Sequence, residues 1–374
     1  MQDVDVIVVG GGIAGLSLAA RCTAHASVTV LEAEAAVGFH SSGRSVAHAH
    51  FGLGDDVIRA LTALSMGRLA ERPIDGSAPA GTVHPTLHIA SADQQAALDQ
   101  LECDHLRVGR TMRRLNTGGA RALVPILREE AVVAALIDET SLKLDADAML
   151  QGHVRTLRSG GGELVLGAAV SAVSRDGNRW TVETKNASYS ARFLVNAAGA
   201  WADRLAAMAG VTPIGLQPRR RTVIALDGPD GQDIMHWPFT KTVGEGFYLL
   251  PEGSGRLLAS SMDATPSEPC DAAPEELDIA VAAHRIEEAT TLQIRRIHHS
   301  WAGLRSFVAD ERPVVGFAPD AAGFFWFAGQ GGFGLQTSPA LADLGEALLF
   351  GVELPAEWEV HGLAPGLFSA DRFG

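Results

Sequence analysis

An α/β fold of two domains is predicted from three features of the sequence. A strand, a glycine turn, a helix and a strand succeed one another at the N-terminus; a second strand, glycine turn and helix lie near the C-terminus; and stretches of alternating hydropathy lie between them. The length agrees. A chain of 374 residues, 47% of them hydrophobic, exceeds the ~250–300 residues at which a single core stops growing.

The N-terminal unit opens with Val6, Ile7, Val8 and Val9, a continuous apolar run of the kind buried on both faces of a sheet. Gly10, Gly11, Gly12, Ile13, Ala14 and Gly15 follow, then a helix from Leu16 to Ala24 and a strand from Val28 to Leu31. In such a unit Gly10 permits the tight turn, Gly12 lets the backbone approach a pyrophosphate, and Gly15 lets helix and strand pack closely. The helix start at Ile13 and Ala14 offers unpaired N–H groups to phosphates. Glu32 stands 22 residues beyond Gly10, where a carboxylate accepts both ribose hydroxyls of an adenosine and repels a 2′-phosphate. A dinucleotide site follows, without a choice between FAD and NAD. Just downstream, Gly38 to Ser45 contains Ser41, Ser42, Gly43, Arg44 and Ser45. These small hydroxyl residues and one cation suit a second phosphate and a flavin edge.

Farther along, Phe193, Leu194 and Val195 form a short buried strand, and Asn196, Ala197, Ala198 and Gly199 a small-residue turn before Trp201 and a helix from Ala202 to Met208. Leu164 to Leu166 and Ala168 to Val173 read as another strand pair. The C-terminal unit is the aromatic strand Phe324 to Ala328, the turn Gly329, Gln330, Gly331, Gly332, and a helix with apolar residues at helical spacing from Thr337 to Leu349. Thr222 to Leu226 and Phe247 to Pro251 alternate between turn signals and suggest an antiparallel sheet.

The 30 Lys+Arg against 44 Asp+Glu give a net charge of −14, which repels nucleic-acid phosphates and anionic lipid surfaces. Cys22, Cys103 and Cys270 have no CxxC spacing, and no histidine stands at a metal-ligand interval. Free thiols in a reducing cytoplasm and no metal are expected. Asp3 and Asp5 precede the first apolar run, with no basic segment before it, and no stretch reaches the ~18 apolar residues of a membrane span. A soluble cytoplasmic protein is expected.

Taken together, the N-terminal unit, Val195 to Trp201, Trp301 to Arg305 and Gly329 to Thr337 resemble the D-amino-acid oxidase and glycine oxidase superfamily of FAD enzymes, and within it most the bacterial D-arginine dehydrogenases. The resemblance implies a Rossmann-like FAD-binding domain of the glutathione-reductase type (GxGxxG) with an inserted antiparallel-sheet substrate domain. The first would comprise 1–80, 142–213 and 306–374, and the second 81–141 and 214–305. It implies noncovalent FAD touching Val170, Ala197, Gly199, Trp201, Gly331, Gly332, Gly334, Gln336 and Thr337. The C-terminal helix would aim its N-terminus at the flavin's pyrimidine end.

The expected reaction is oxidative deamination of a D-amino acid: Cα gives its hydride to flavin N5, and the imino acid hydrolyses to a 2-oxo acid and ammonia. Arg305 stands in an apolar strand, where an unpaired cation is costly, so it should have an anion to bind. The resemblance gives it the substrate carboxylate, with Arg221 and Tyr248 as further anchors, His48 and the Gly332 carbonyl near the amine, and Gln336 nearby. A histidine of ordinary pKa ~6.5 suits a proton relay there. His84, His88, His298 and His299 read as structural or surface residues. His50 lies on a presumed lid loop, Ala49 to Gly54, and is expected to touch the substrate side chain.

In D-arginine dehydrogenases a tyrosine and a glutamate meet the substrate's guanidinium; the matching positions here are Leu53 and Thr86. Neither neutralises a cation, although Asp55 and Asp56 lie just beyond. Neutral or apolar D-amino acids are therefore expected to be preferred over D-arginine. Alternatives within enzymes are a 2-hydroxy-acid dehydrogenase of the L-2-hydroxyglutarate type, or a glycine or sarcosine oxidase. A non-enzymatic alternative is an FAD-binding electron-transfer subunit. The acceptor of the flavin's electrons, a quinone-type compound or oxygen, is left open.

Overall fold

The computed structural model describes residues 1–71, 78–253 and 255–373. Its first sheet grows outward from the strand Gln2–Val9, which alternates between two cores: Val6 and Val8 belong to one, Ile7 and Val9 to the other. A strand buried on both faces needs this uninterrupted apolar run. Its parallel neighbours are Val28–Leu31 and Ser188–Asn196. Beyond these lie Glu163–Val165 and Phe324–Ala328, also parallel. An antiparallel pair, Val170–Asp176 and Arg179–Thr184, and the strand Val314–Phe317 complete eight strands. Helices Ile13–Cys22, Ala146–Ser159 and Gly334–Phe350 pack on the Val6/Val8 face.

Registers fix where the turns fall. Val9 stands opposite Asn196, and Asn196 opposite Trp326, so the chain leaves these three parallel strands side by side. Ligands of open α/β sheets bind at this carboxyl edge.

The second sheet has nine strands, drawn from 86–138 and 217–307. Leu87, Ile89, Ile224, Leu249 and Leu257 point to one side, into a core shared with Ile286 of the helix Glu276–Ala289. By alternation Thr86, His88, Arg221, Phe239, Lys241 and Tyr248 leave the other side. A small third sheet, His48–Ala49, Leu142–Leu144 and Gly81–Val83, joins segments between the two.

Three sequence expectations differ from the structure. The segments after Glu163 do not pair with each other: Glu163–Val165 lies beside Val28–Leu31, whereas Val170–Asp176 turns back on Arg179–Thr184. The intervening Gly167 and Ala168 instead give their N–H groups to the carbonyls of Glu34 and Glu32. The second sheet is not wholly antiparallel, because Phe239–Thr242 runs parallel to Thr86–Ala90. No hairpin joins those strands, so turn signals say nothing of their pairing. The presumed lid is packed rather than free. His50 and Phe51 are buried, and a Cβ on Gly52 would lie 2.4 Å from the His88 ring.

Candidate active site

A cavity of about 550 Å³ runs along the carboxyl edge of the first sheet to the inner face of the second, a size within the range of small-molecule sites. One end is made of backbone. Gly10 has φ +114°, and a Cβ there would sit 2.3 Å from the Ala197 carbonyl oxygen, so the two turns touch only because glycine stands at the crossing. Gly12, Ile13, Ala14 and Glu32 line this end with Val170, Ala197, Gly199 and Trp201. Gly15 is behind the wall, where its Cα hydrogens face the Gly10 carbonyl.

Several polar groups placed here by sequence are partly committed within the protein. Glu32 accepts from the N–H groups of Gly11 at 2.6 Å and Glu34 at 2.9 Å, so it shapes the turn as well as facing the cavity. Ser42 accepts from Ile13 N–H at 3.0 Å, putting its hydroxyl at the helix start. Ser41 donates to the Leu304 carbonyl, and the Ser45 hydroxyl accepts from Ala47 N–H. Arg44 lines the cavity, and its guanidinium donates to the carbonyls of Ala272 and Ala302 and to the Asp271 carboxylate, so it also joins the serine turn to the second sheet. Gly43 and Thr337 lie outside the cavity wall, and the Thr337 hydroxyl donates to the Phe333 carbonyl.

The residues present fit an elongated dinucleotide: a glycine turn and helix start for the pyrophosphate, a carboxylate at the far end, and Gly329, Gly331, Gly332 and Gly334 approaching from the C-terminal turn. Among the described residues no group of His, Cys, Asp and Glu is arranged to hold a metal. No helix among them is long and apolar enough to cross a membrane.

At the other end Arg305, Arg221, Tyr248, His48 and Gln336 line the cavity. Arg305 and Gly332 touch: a Cβ on Gly332 would lie 3.1 Å from the guanidinium. Among the described residues the Arg305 side chain has no hydrogen bond or ion pair. Arg221 donates from Nε to the Asp263 carbonyl and stands 3.8 Å from that residue's carboxylate. Burial lowers the pKa of both guanidiniums, and for Arg221 the charge of Arg305 lowers it further. The Tyr248 hydroxyl is buried, and its contact with the Ser260 hydroxyl falls outside ordinary hydrogen-bond geometry. Burial raises its pKa while both arginines pull it down. Two buried cations and a phenol without a hydrogen-bond partner suit an anion, since a carboxylate would offset the cost of burying them.

His48 behaves otherwise than its ordinary pKa suggests. Burial first, then the His84 ring, push it down to about 3. Its Nε2 lies 3.1 Å from the His84 carbonyl, which only accepts, so Nε2 carries the hydrogen. Nδ1 is left as a buried lone pair with no partner. His48 is thus a neutral acceptor, not a titrating relay. Gln336 donates to the Thr62 hydroxyl at 2.7 Å and bonds the backbone of His50 on both sides, so it holds the His50 loop in place.

The side-chain pocket expected from His50, Leu53 and Thr86 is not in the wall of this cavity. Asp55 caps the helix Asp56–Ala70 and pairs with Arg312; Asp56 pairs with Arg59. Neither serves the cavity. His88 is not a surface residue: it packs against His50 with ring centroids 5.5 Å apart, and His84 contacts His48. His298 bonds Asp227, and the exposed His299 stacks on Trp301. Sequence reasoning missed Lys241, which is buried at the centre of this group. The signal that singled out Arg305, a cation in an otherwise apolar strand, was missing here, because Lys241 stands between Thr240 and Thr242 in the sequence.

A family model described as FAD dependent oxidoreductase matches residues 5–347. Glycine oxidase of Geobacillus kaustophilus is 25% identical over 62% of this chain and 60% of its own. FAD-dependent oxidoreductase domain-containing protein 1 of Bos taurus is 30% identical over 48% of this chain and 39% of its own. The chain therefore spans about two fifths to three fifths of these relatives. Among solved structures, L-proline dehydrogenase from P. horikoshii superposes with a TM-score of 0.84 at 20% identity, covering 100% of this chain and 98% of its own. Glycine oxidase from Geobacillus kaustophilus gives 0.82 at 21%, covering 99% of each.

Proposed function

The chain belongs to the family of FAD-dependent oxidoreductases, and from that premise we propose that it oxidises the Cα–N bond of a small amino acid of D configuration. The observation that carries this is the anion site at Arg305, Arg221 and Tyr248, which abuts Gly332 where the C-terminal glycine turn meets the second sheet. FAD supplies a two-electron acceptor at its N5 when bound.

The chain's own residues have three tasks. Arg305 and Arg221 hold the α-carboxylate with charge-assisted hydrogen bonds, the Tyr248 hydroxyl completing them. The lone pair on His48 Nδ1 and the Gly332 carbonyl accept from the amine, keeping its nitrogen beside the acceptor. The packed His50 loop, held by Gln336, excludes water. The substrate gives up one amine proton to solvent, then two electrons and a proton from Cα, leaving an imino acid that water converts to a 2-oxo acid and ammonia. His48 stays neutral across physiological pH, so the acid limb of the rate profile should report the substrate amine. Noncovalent attachment is expected, because none of Cys22, Cys103 and Cys270 lines the cavity.

Anaerobic mixing of the holoenzyme with D- and L-amino acids, glycine, sarcosine and 2-hydroxyglutarate tests the reading. Bleaching of the flavin by D-amino acids supports it. Bleaching by the hydroxy acid alone moves the reaction to C–O oxidation, and none at all leaves an electron-transfer subunit.

A further inference from the structure

The row of side chains that starts at Tyr248 continues beyond the cavity. Lys241 is the direct cross-strand partner of Tyr248 on one side and of His88 on the other, so all three leave the same face of the sheet. Lys241 is 9% exposed, one strand past the cavity wall, and among the described residues its side chain has no hydrogen bond or ion pair. Its charge is felt by His50 and His88, both held well below their usual range by burial and then by Lys241. Burial, Arg221 and Arg305 push Lys241 itself down to about 8.

Nearby carboxylates are engaged. Asp138 accepts from Thr140 and Ser141, while Asp263 accepts from Thr222 N–H beside Arg221. Asp263 thus acts on Arg221 and Arg305, while Lys241 feels those two cations and no carboxylate. An amino acid with a single carboxylate would leave one positive charge without a counterpart, and an isolated buried charge is expensive.

We propose that Lys241 anchors a second carboxylate, so that the substrate is an amino dicarboxylic acid of the aspartate or glutamate kind. The α-carboxylate sits on Arg305 and Arg221, and the side-chain carboxylate points along the row from Tyr248 to Lys241. This rests on the amino-acid reading of the cavity and replaces the apolar preference expected from Leu53 and Thr86. Lys241 also repels D-arginine and D-lysine, for which no free carboxylate stands in the wall.

Two measurements on the holoenzyme test it. In the first, flavin absorbance is titrated with glutarate and succinate, and with butyrate, which lacks one carboxylate. Wild-type protein should bind the diacids on the order of thirtyfold more tightly. Lys241→Met should remove that difference, and Lys241→Arg should keep most of it. Equal affinities in the wild type, or a diacid preference that survives Lys241→Met, overturn the proposal; if the variant does not fold, the wild-type comparison alone decides. In the second, anaerobic flavin reduction compares D-aspartate and D-glutamate with D-leucine. A diacid should lead in the wild type. If D-leucine leads, Lys241 is not a substrate anchor although the amino-acid reading stands. If no amino acid reduces the flavin, that reading fails, and the diacid titration still judges Lys241.

Discussion

The two ends of the cavity are built by opposite means. At the dinucleotide end the working groups are backbone, exposed by glycines at the edges of parallel strands, and the side chains nearby, Glu32 and Ser42, spend hydrogen bonds on that backbone. At the substrate end, the Gly332 carbonyl apart, the working groups are buried side chains: Arg221, Arg305, Tyr248, Lys241 and His48. A backbone site tolerates no added volume. A site of buried charges tolerates volume but not the loss of its charge pattern, because each charge is held out of water at a cost that only its partner offsets.

Gly15→Val should have the largest effect. A Cβ there would lie 2.0 Å from the Gly10 carbonyl oxygen, so the helix must move off the strand. A loss of about 4 kcal/mol or more is expected, read as a low flavin-to-protein absorbance ratio and a collapsed thermal transition. Retention of full flavin content would break the claim that this end is closed by backbone contact.

Arg305→Lys should do the converse, leaving flavin content intact while kcat/KM falls by about 1–3 kcal/mol, because a point charge replaces a planar fork. Flavin loss comparable to that of Gly15→Val would mean that the two ends are not separable. Unchanged steady-state parameters would remove Arg305 from the site.

Acid should act on the substrate end first. The folded pKa of His48 is about 3, below the ~6.5 of the unfolded chain. Between those values the unfolded state binds the extra proton, so stability is full above pH 6.5 and falls as pH drops through that window. At pH 5 this one imidazole accounts for roughly 2 kcal/mol, and His50 and His88 act in the same direction. Thermal melts at pH 7 and pH 5 measure it; a transition that does not move would mean that these rings are already solvated.

The smallest effect is expected for Ser42→Ala, which removes the hydroxyl bonded to Ile13 N–H. FAD affinity should weaken by about 1 kcal/mol, with catalysis by the remaining holoenzyme unaltered. A larger loss would show that the dinucleotide end leans on side chains more than its backbone suggests.

The sequence by itself determined the dinucleotide end. Val6 to Gly15 and Phe324 to Gly334 each write strand, turn and helix start within a short span, and Val28 to Glu32 writes a strand with its terminal carboxylate. Glycines at fixed offsets are legible because the constraint that requires them is local. Tertiary structure alone decided the rest. That Arg44 reaches Asp271, that His48 loses its titration to burial, and that Lys241 stands beside His88 depend on segments far apart in the chain. Side-chain period places a residue on one face of a strand but does not say which strand lies beside it. Charge and pKa depend on that neighbour and on the water it displaces, and no hairpin turn announces Thr86–Ala90 beside Phe239–Thr242.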